Sequence, residues 1–522
     1  MRPLRLPILS LCLAVLAFGM LAPALFAALQ GNWLALQSFL VCAAFTGFAS
    51  AGTAILLGAK TGNGAARGEL RALVVCWVLV PMFAALPVWL SMPVVGPWGA
   101  WFEMTAAFTT TGGTVFGEPD KVAGAIHLWR GMVAWFGGLV TLVAAAAILA
   151  PRNLGGNEVA VNSAHSINAG GQFGGQMGAA VSIREQKAAR LSGRLKRSIQ
   201  VVLPIYVVLT AVLAVLFSGL GQTGLAAAVH AMAIMSTSGI SPYAAGLAEQ
   251  PGIGIEAAAF VFMILAATRL TYKGQGGPRR RWHRDPELKL MALLVATATL
   301  ALFLRHWLGA LTIDLGDEPS EALPAVWGAA FTSLSFVTTT GFESASWHTA
   351  RDWSGLANPG LILLGLCAIG GGAATTAGGI KLIRGYALLR HGYRELERIA
   401  QPNSVLATGT RLRGILSEGA FLAWAFVMLY VLAIFAALIG LTISGLPFQD
   451  SLVAAIASIS NTGPAFPLIS PGEFDFGRLT ESQRVILAAA MILGRIETLA
   501  VISLFNTDSW QQFSTRTKNH WN

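Results

Sequence analysis

Ten apolar stretches, each long enough to cross a bilayer, divide this 522-residue chain, at about 7–29, 33–58, 70–91, 126–150, 199–219, 253–272, 288–312, 356–390, 414–444 and 484–506. Roughly 20 apolar residues span the hydrocarbon core of a membrane as a helix. In that waterless layer every backbone polar group must find a partner within the protein, which leaves helices as the economical solution. The chain therefore reads as an all-α polytopic membrane protein. Charged residues make up only 11% of it, against about 25% in a soluble domain. The net charge of +10 does not call for nucleic acid, because the basic residues lie in short loops between apolar runs, as membrane topology requires. Cys12, Cys42, Cys76 and Cys367 all fall inside apolar runs, with no spacing that suggests a metal site or a disulfide framework. His127, His230, His306 and His348 are scattered without ligand spacing.

The N-terminus imitates a signal peptide, with Arg2 and Arg5 before an apolar run to Ala28. A cleaved signal has an apolar core of roughly 7–15 residues, and this run is longer, so a retained transmembrane helix is expected. With the stretch at 33–58 it forms an N-terminal hairpin.

Four shorter apolar segments, near 98–111, 223–237, 322–339 and 448–461, are too short to span and read as re-entrant. Charge tests this. Arg2, Arg5, Lys60, Arg67, Arg71, the run from Arg152 to Arg197, Arg269, Lys273, the block Arg279 to Arg284, Lys289, and Lys381 to Arg413 fall on one side. Glu118, Asp120, Glu249, Asp314, Asp317, Glu318, Asp352, Asp450, Glu473 and Asp475 fall on the other. The separation holds only if each short segment enters and leaves by the same face, which places both termini in the cytoplasm. The expected organisation is a hairpin (1–60), repeat 1 (61–150), a cytoplasmic loop (151–198), repeat 2 (199–275), repeat 3 (276–400) and repeat 4 with a tail (401–522). Each repeat is a helix–pore-loop–helix unit, and the four surround a central pseudo-four-fold pore.

All four short segments end alike: Thr109-Thr110-Thr111-Gly112, Ser236-Thr237-Ser238-Gly239, Thr338-Thr339-Thr340-Gly341 and Ser460-Asn461-Thr462-Gly463. A cation that sheds its water needs oxygens in return, and filters supply rings of backbone carbonyls. Glycine tolerates the dihedrals that aim a carbonyl at an axis, and small hydroxyl side chains add oxygens to a narrow tube. No carboxylate lies in any motif, which argues against an acidic-ring site. The pattern points to a potassium filter, with the ion expected at Thr110, Thr111, Thr237, Ser238, Thr339, Thr340, Asn461 and Thr462.

Together with Gly370-Gly371-Gly372-Ala373-Ala374-Thr375-Thr376-Ala377-Gly378-Gly379-Ile380-Lys381, Gly494-Arg495-Ile496-Glu497, and Trp129-Arg130 through Gly137-Gly138, these motifs make the chain resemble the Trk/Ktr/HKT superfamily of potassium transporters over nearly its whole length. The N-terminal hairpin favours the TrkH branch over the KtrB branch. Two departures stand out: Ser238-Gly239-Ile240 replaces the Gly-Gly-Phe of many relatives, and 151–198 matches poorly. The resemblance implies potassium uptake across a bacterial inner membrane through a gated, selective pore. It also implies a homodimer, a cytosolic nucleotide-binding regulator of the TrkA type, and no cofactor in this chain beyond the transported K+. Glycine at all four motif ends suggests potassium over sodium. Residues Gly370, Gly371, Gly372, Thr375, Thr376, Gly378 and Gly379 would form a gate loop, since a broken helix at mid-membrane is tolerable only beside a water-filled cavity.

Arg495 lies near the middle of the last span, where an unpaired charge costs at least ~2.5–3.5 kcal/mol, so it is expected to face a polar interior and either to set the rate of permeation or to act with the gate loop. Glu497, two residues on, does not share its helix face. The block Arg279 to Arg284 reads as topological anchoring, with binding of anionic membrane lipid or of a partner as the alternative. A coupled symporter of potassium with H+ or Na+ is the alternative, because such proteins also use broken helices at the midplane. A membrane enzyme would need clustered acids, histidines or a nucleophile with a base at one membrane face, and none is present in the sequence.

Overall fold

The computed structural model describes residues 8–58, 66–149, 191–250, 252–272, 285–310, 321–356, 358–400, 410–470 and 476–496. All regular structure among them is helical. Three helices precede the repeats: α1 (Ile8–Gly19), α2 (Leu21–Leu29) and α3 (Trp33–Gly58). The first two continue one another through Met20 and return along α3. Ser10 and Ser50 tie the hairpin reciprocally, each hydroxyl donating to the other's carbonyl, at 3.1 and 2.8 Å. This is how polar residues serve as glue between membrane helices. The expected retained helix is thus packed into the fold, against α3 and α4.

Repeat 1 consists of α4 (Ala66–Ser91), the short α5 (Gly96–Phe108) and α6 (Gly124–Ala144), which ends in a π-helical turn to Leu149. Repeat 2 consists of α7 (Leu191–Gly219), α8 (Gly224–Ser236) and α9 (Ile253–Ala266). Repeat 3 runs through α10 (Pro286–Ala310), α11 (Ala322–Val337), α12 (Trp347–Ser354), α13 (Gly360–Ile369) and α14 (Leu382–Ala400). Repeat 4 runs through α15 (Thr410–Ile443), α16 (Phe448–Ile459), α17 (Ala465–Ile469) and α18 (Glu481–Ile496).

The four short helices α5, α8, α11 and α16 have 13, 13, 16 and 12 residues. At 1.5 Å per residue they reach about 18–24 Å, less than a bilayer core of about 30 Å. They are buried inside the protein, as the re-entrant reading expects. Within the described residues the helices follow the ten expected spans with three differences; 497–506, the end of the last span, lies outside those residues. The first helix of repeat 2 starts at Leu191, within the stretch read as a loop to 198. The last helix of repeat 2 stops at Ala266, six residues before the apolar run ends. The apolar run 356–390 is two helices separated by residues 370–381. Among the described residues, seven helical stretches are long and apolar enough to cross a membrane. The shortened ones, α9 and α13, are second helices of repeats, each burying one face in the protein, where other groups can satisfy a freed backbone.

Buried charge braces the fold. Glu103 of α5 meets Arg130 of α6 at 2.6 Å, and both are almost fully buried. The second Glu103 oxygen accepts from the backbone N–H of Val115 at 2.7 Å. The guanidinium also lies 5.1 Å over the Phe116 ring. Removing one partner of such a pair strands the other in a medium that cannot solvate it, at a cost of roughly 3–5 kcal/mol. Glu103→Ala is therefore expected to lower the thermal unfolding temperature of the detergent-solubilised protein markedly. Glu103→Met combined with Arg130→Met should recover much of the loss.

Candidate ion pathway

The hydroxyl–glycine motifs sit where the short helices end, and all four ends reverse in the same way. The second residue of each motif is in the left-handed region: Thr110 at φ 53°, Thr237 at 53°, Thr339 at 58° and Asn461 at 55°. The third residue then returns its N–H to the carbonyl five positions earlier: Thr111 to Ala106 at 2.8 Å, Ser238 to Ala233 at 2.8 Å, Thr340 to Ser335 at 2.9 Å and Thr462 to Ala457 at 2.8 Å. This is the hydrogen bond of a Schellman helix terminus, where glycine or asparagine usually holds the left-handed position. A β-branched residue there is strained, and strain of this kind costs of order 1–3 kcal/mol and persists where the surroundings enforce it. Three of the four repeats place Thr at the strained point.

The side chains explain what the strain accomplishes. The first hydroxyl of each motif bonds back to its own helix, Thr109 to Thr105 O at 2.7 Å, Ser236 to Met232 O at 2.7 Å, Thr338 to Ser335 O at 3.0 Å and Ser460 to Ile456 O at 2.7 Å. It also approaches the third hydroxyl, at 2.8 Å in repeat 1 and 3.0 Å in repeat 3. The second side chain is different. Thr110 Oγ1, Thr237 Oγ1 and Asn461 Oδ1 are buried with no hydrogen-bond partner in the protein. The fourth, Thr339 Oγ1, accepts from the Gly378 N–H at 2.8 Å. A buried polar atom without a partner is costly, and here it recurs at the equivalent position of three repeats.

The glycines close the ring. A side chain on Gly112 would overlap the Ser238 carbonyl of repeat 2, and one on Gly239 the Thr340 carbonyl of repeat 3. One on Gly341 would press on Pro464 of repeat 4 at 3.0 Å, and one on Gly463 would press on Thr111 O of repeat 1 at 2.7 Å. Gly463 N–H donates to that same Thr111 O at 2.6 Å. Each motif thus touches the next, and the fourth returns to the first. Gly112, Gly239 and Gly341 have positive φ (76°, 64° and 83°) as expected, whereas Gly463 does not and is required by close approach instead.

The break in repeat 3 lies directly against this ring. A side chain on Gly378 would overlap the Ser460 carbonyl. The loop is folded on itself, with Ile380 N–H donating to Ala368 O at 3.0 Å and Lys381 N–H to Ile369 O at 2.9 Å, and with the Lys381 ammonium donating to Ala377 O. Gly370, Gly371, Gly372, Thr375, Thr376, Gly378 and Gly379 all belong to it. Arg495 is buried and joins two elements: Nε donates to Thr109 O at 2.9 Å and Nη1 to Thr376 O at 2.5 Å. Its expected polar surroundings are therefore backbone carbonyls of the first motif and of the loop. Glu497 and the block Arg279 to Arg284 lie outside the described residues, as does most of 151–198.

Several residues that organise the site carry no motif. Glu256, in the first turn of α9, accepts from Trp327 Nε1 at 2.6 Å, Ser344 Oγ at 2.7 Å and the Ala345 N–H at 2.7 Å, so repeat 2 holds the segment that follows the third motif. Nine residues before the motif glycine stand Glu103, His230, Thr332 and Ala454. The first three each bind the chain just past their own motif, through Val115 N, Ser241 Oγ and Ser344 N. The signal for them was a polar residue at one register within an otherwise apolar segment. Among the described residues, no group of three or more His, Cys, Asp or Glu side chains could hold a metal.

A family model for TrkH, described as a cation transport protein, matches residues 38–515. The chain belongs to the TrkH family. It is therefore a multi-pass membrane transporter and not an enzyme. This TrkH-family chain is 28% identical over 519 residues to a Trk system potassium uptake protein TrkH of Halomonas elongata, covering 97% of this chain and 99% of the relative. It is 26% identical over 456 residues to the protein of the same name from Escherichia coli K12, covering 85% and 88%. In fold it resembles the crystal structure of the potassium transporter TrkH from Vibrio parahaemolyticus, with a TM-score of 0.76 over 97% of this chain and 98% of that one, at 24% identity.

Glu256 supplies a test of the cross-repeat brace. Glu256→Ala strands three donors and is expected to cost about 2–4 kcal/mol. Hydrogen exchange at residues 344–346 should quicken at least tenfold, while the first and fourth motifs keep their protection.

Proposed function

We propose that this chain is the translocating subunit for potassium uptake across a bacterial inner membrane, through a gated and potassium-selective pore with both termini cytoplasmic. The observation that carries this reading is the set of three partnerless buried oxygens at equivalent strained positions, in a ring closed by glycine contacts. Oxygens so placed replace the water that a potassium ion sheds, with backbone carbonyls completing the shell. Four short helices end at the ring, and the C-terminal end of a helix carries about half a negative charge, which suits a cation. The family's cation transport and the potassium uptake named for its relatives support the choice of ion.

The loop from Gly370 to Lys381 acts as the gate, because it lies against the filter and is pinned there by Arg495 and Thr339. Arg495 also places a positive charge beside the path and so sets the rate. The driving force is the membrane potential, about 2.3 kcal/mol per charge per 100 mV. A homodimer working with a cytosolic nucleotide-binding regulator of the TrkA type completes the assembly.

The test is rescue of a potassium-uptake-deficient bacterium at low potassium, with rubidium and sodium uptake measured alongside. Gly112→Ser is expected to abolish rescue or selectivity, since the new side chain meets backbone and the residue has positive φ. Gly341→Ser should lose selectivity more mildly, because its neighbour is the Pro464 ring. Arg495→Ala should keep the ion preference and raise the rate several-fold. Unchanged ion preference in both glycine variants would remove the filter assignment.

Glu343, two residues past the third filter glycine, gives a pH dependence. The corresponding positions in the other repeats are Thr114, Ser241 and Ala465. Burial pushes its carboxyl up to about 7, against the pull of the Arg351 guanidinium. The group is neutral below that value and negative above it, and a negative charge at the mouth raises the local cation concentration. Uptake at limiting potassium is expected to rise between external pH 6 and 8, and Glu343→Gln should flatten that rise.

A further inference from the structure

The loop against the proposed filter has a further attachment besides Arg495. The N–H groups of two consecutive loop residues are held there. Gly372 N–H donates to Ala267 O, at the end of α9, at 3.2 Å. Ala373 N–H donates to Glu287 Oε1, in the first turn of α10, at 3.0 Å. Glu287 is 3% exposed, so its carboxylate is withdrawn from water and needs partners to stay charged. Arg269, just beyond α9, supplies charge: its Nε lies 3.2 Å from Glu287 Oε2 and its Nη2 3.7 Å from Asp285 Oδ2. Neither contact has the alignment of a hydrogen bond, so the directional bond of Glu287 is the one to the loop. Asp285 and Lys381 are the other charged groups close to it.

Helix capping does not account for this orientation. Asp285 caps α10, accepting the Glu287 N–H at 2.9 Å on Oδ1, with Pro286 at the first helical position. This is a complete helix start without any glutamate side chain. A capping-box glutamate stands one residue later and turns back to the cap. Glu287 instead reaches across to residue 373, which is 86 positions away in sequence.

We propose that Glu287 is a positioning residue for the gate: with Arg269 behind it, its carboxylate tethers the glycine-rich loop to the junction of repeats 2 and 3 and holds the pore closed. The proposal rests on the reading of residues 370–381 as the gate. Arg269 and Asp285 flank the stretch that joins repeats 2 and 3, so a change in the spacing of those repeats acts on the loop through Glu287. Arg495 holds the loop from repeat 4 and Thr339 from its own repeat. Release of the Glu287 bond frees the near edge of the loop while leaving the filter ring intact.

Two readouts on the full-length protein in proteoliposomes test this: hydrogen exchange of the peptide covering 370–381, and rubidium and sodium flux without any regulator. Glu287→Ala is expected to speed exchange of that peptide at least about tenfold, the scale for losing a bond to a charged acceptor. It should raise rubidium flux several-fold with the rubidium-to-sodium ratio unchanged. Glu287→Gln keeps an acceptor for Ala373 and should fall between it and the wild type. If Glu287→Ala does not assemble, Arg269→Met removes the charge behind the carboxylate and is expected to move both readouts in the same direction. Unaltered exchange in these variants would overturn the tether, and faster exchange with unaltered flux would overturn its role in closing the pore. A change in ion ratio would also overturn it, since the filter would then be involved. Absence of rubidium flux in every protein, the wild type included, would instead count against the potassium pathway, and the exchange data would still judge the tether.

Discussion

The centre of this protein depends on how four short helices stop. Each ends with one residue in the left-handed region, and that single dihedral turns the next N–H back into the helix. Once the donors are used inward, the motif oxygens must find partners elsewhere: Thr109 O takes Arg495, Thr111 O takes the Gly463 N–H and Thr339 Oγ1 takes the Gly378 N–H, while Thr110 Oγ1, Thr237 Oγ1 and Asn461 Oδ1 take none in the protein. A helix continued by one more turn would bury those oxygens in its own hydrogen bonds. Placing Thr rather than Gly at the turn costs strain, and it retains a hydroxyl there, which the proposed filter gives to the ion. The glycines do a separate task, bringing the four reversals within contact of each other.

Around that ring the repeats solve the same problem with different residues. The polar group that holds the chain just past the motif is a carboxylate in repeat 1, an imidazole in repeat 2 and a hydroxyl in repeat 3. Repeat 4 has Ala454 at the position, and there Ser470 donates to Asp450. Bracing also crosses repeat boundaries, as when Glu256 of repeat 2 binds the segment after the third motif. Such divergence is open to repeats fused in one chain, because each position has one copy to satisfy.

Much of this was legible in the amino-acid order. Length and hydropathy separated spanning helices from re-entrant ones, and the positive loops required the re-entrant segments to return to their own side. The recurring hydroxyl–glycine ends located the ring, and the glycine run in repeat 3 located the break. Other features were hidden for physical reasons. Local composition favours glycine at a left-handed position, so nothing marked Thr110, Thr237 and Thr339 as strained; tertiary contacts impose it. Gly463 has the same motif position as the other glycines and a different reason to be glycine, which only the neighbour across the ring reveals. Glu103, Glu256 and Glu287 each bind a group distant in sequence or in another repeat, and no spacing along the chain announces such a pair. Arg495 was expected to face polar groups, and its carbonyl partners on Thr109 and Thr376 come from repeats far from it in sequence.

Among the described residues the glycine-rich break occurs in one repeat, and this has a mechanical consequence for the proposed gate. A pore assembled from identical subunits narrows by an iris-like motion, with all its members moving together. With residues 370–381 as the proposed gate, one quadrant carries the obstruction and the other three stand as a wall beside it. Opening in that scheme requires work on a single finger of backbone, and the surrounding wall need not move while the finger is withdrawn.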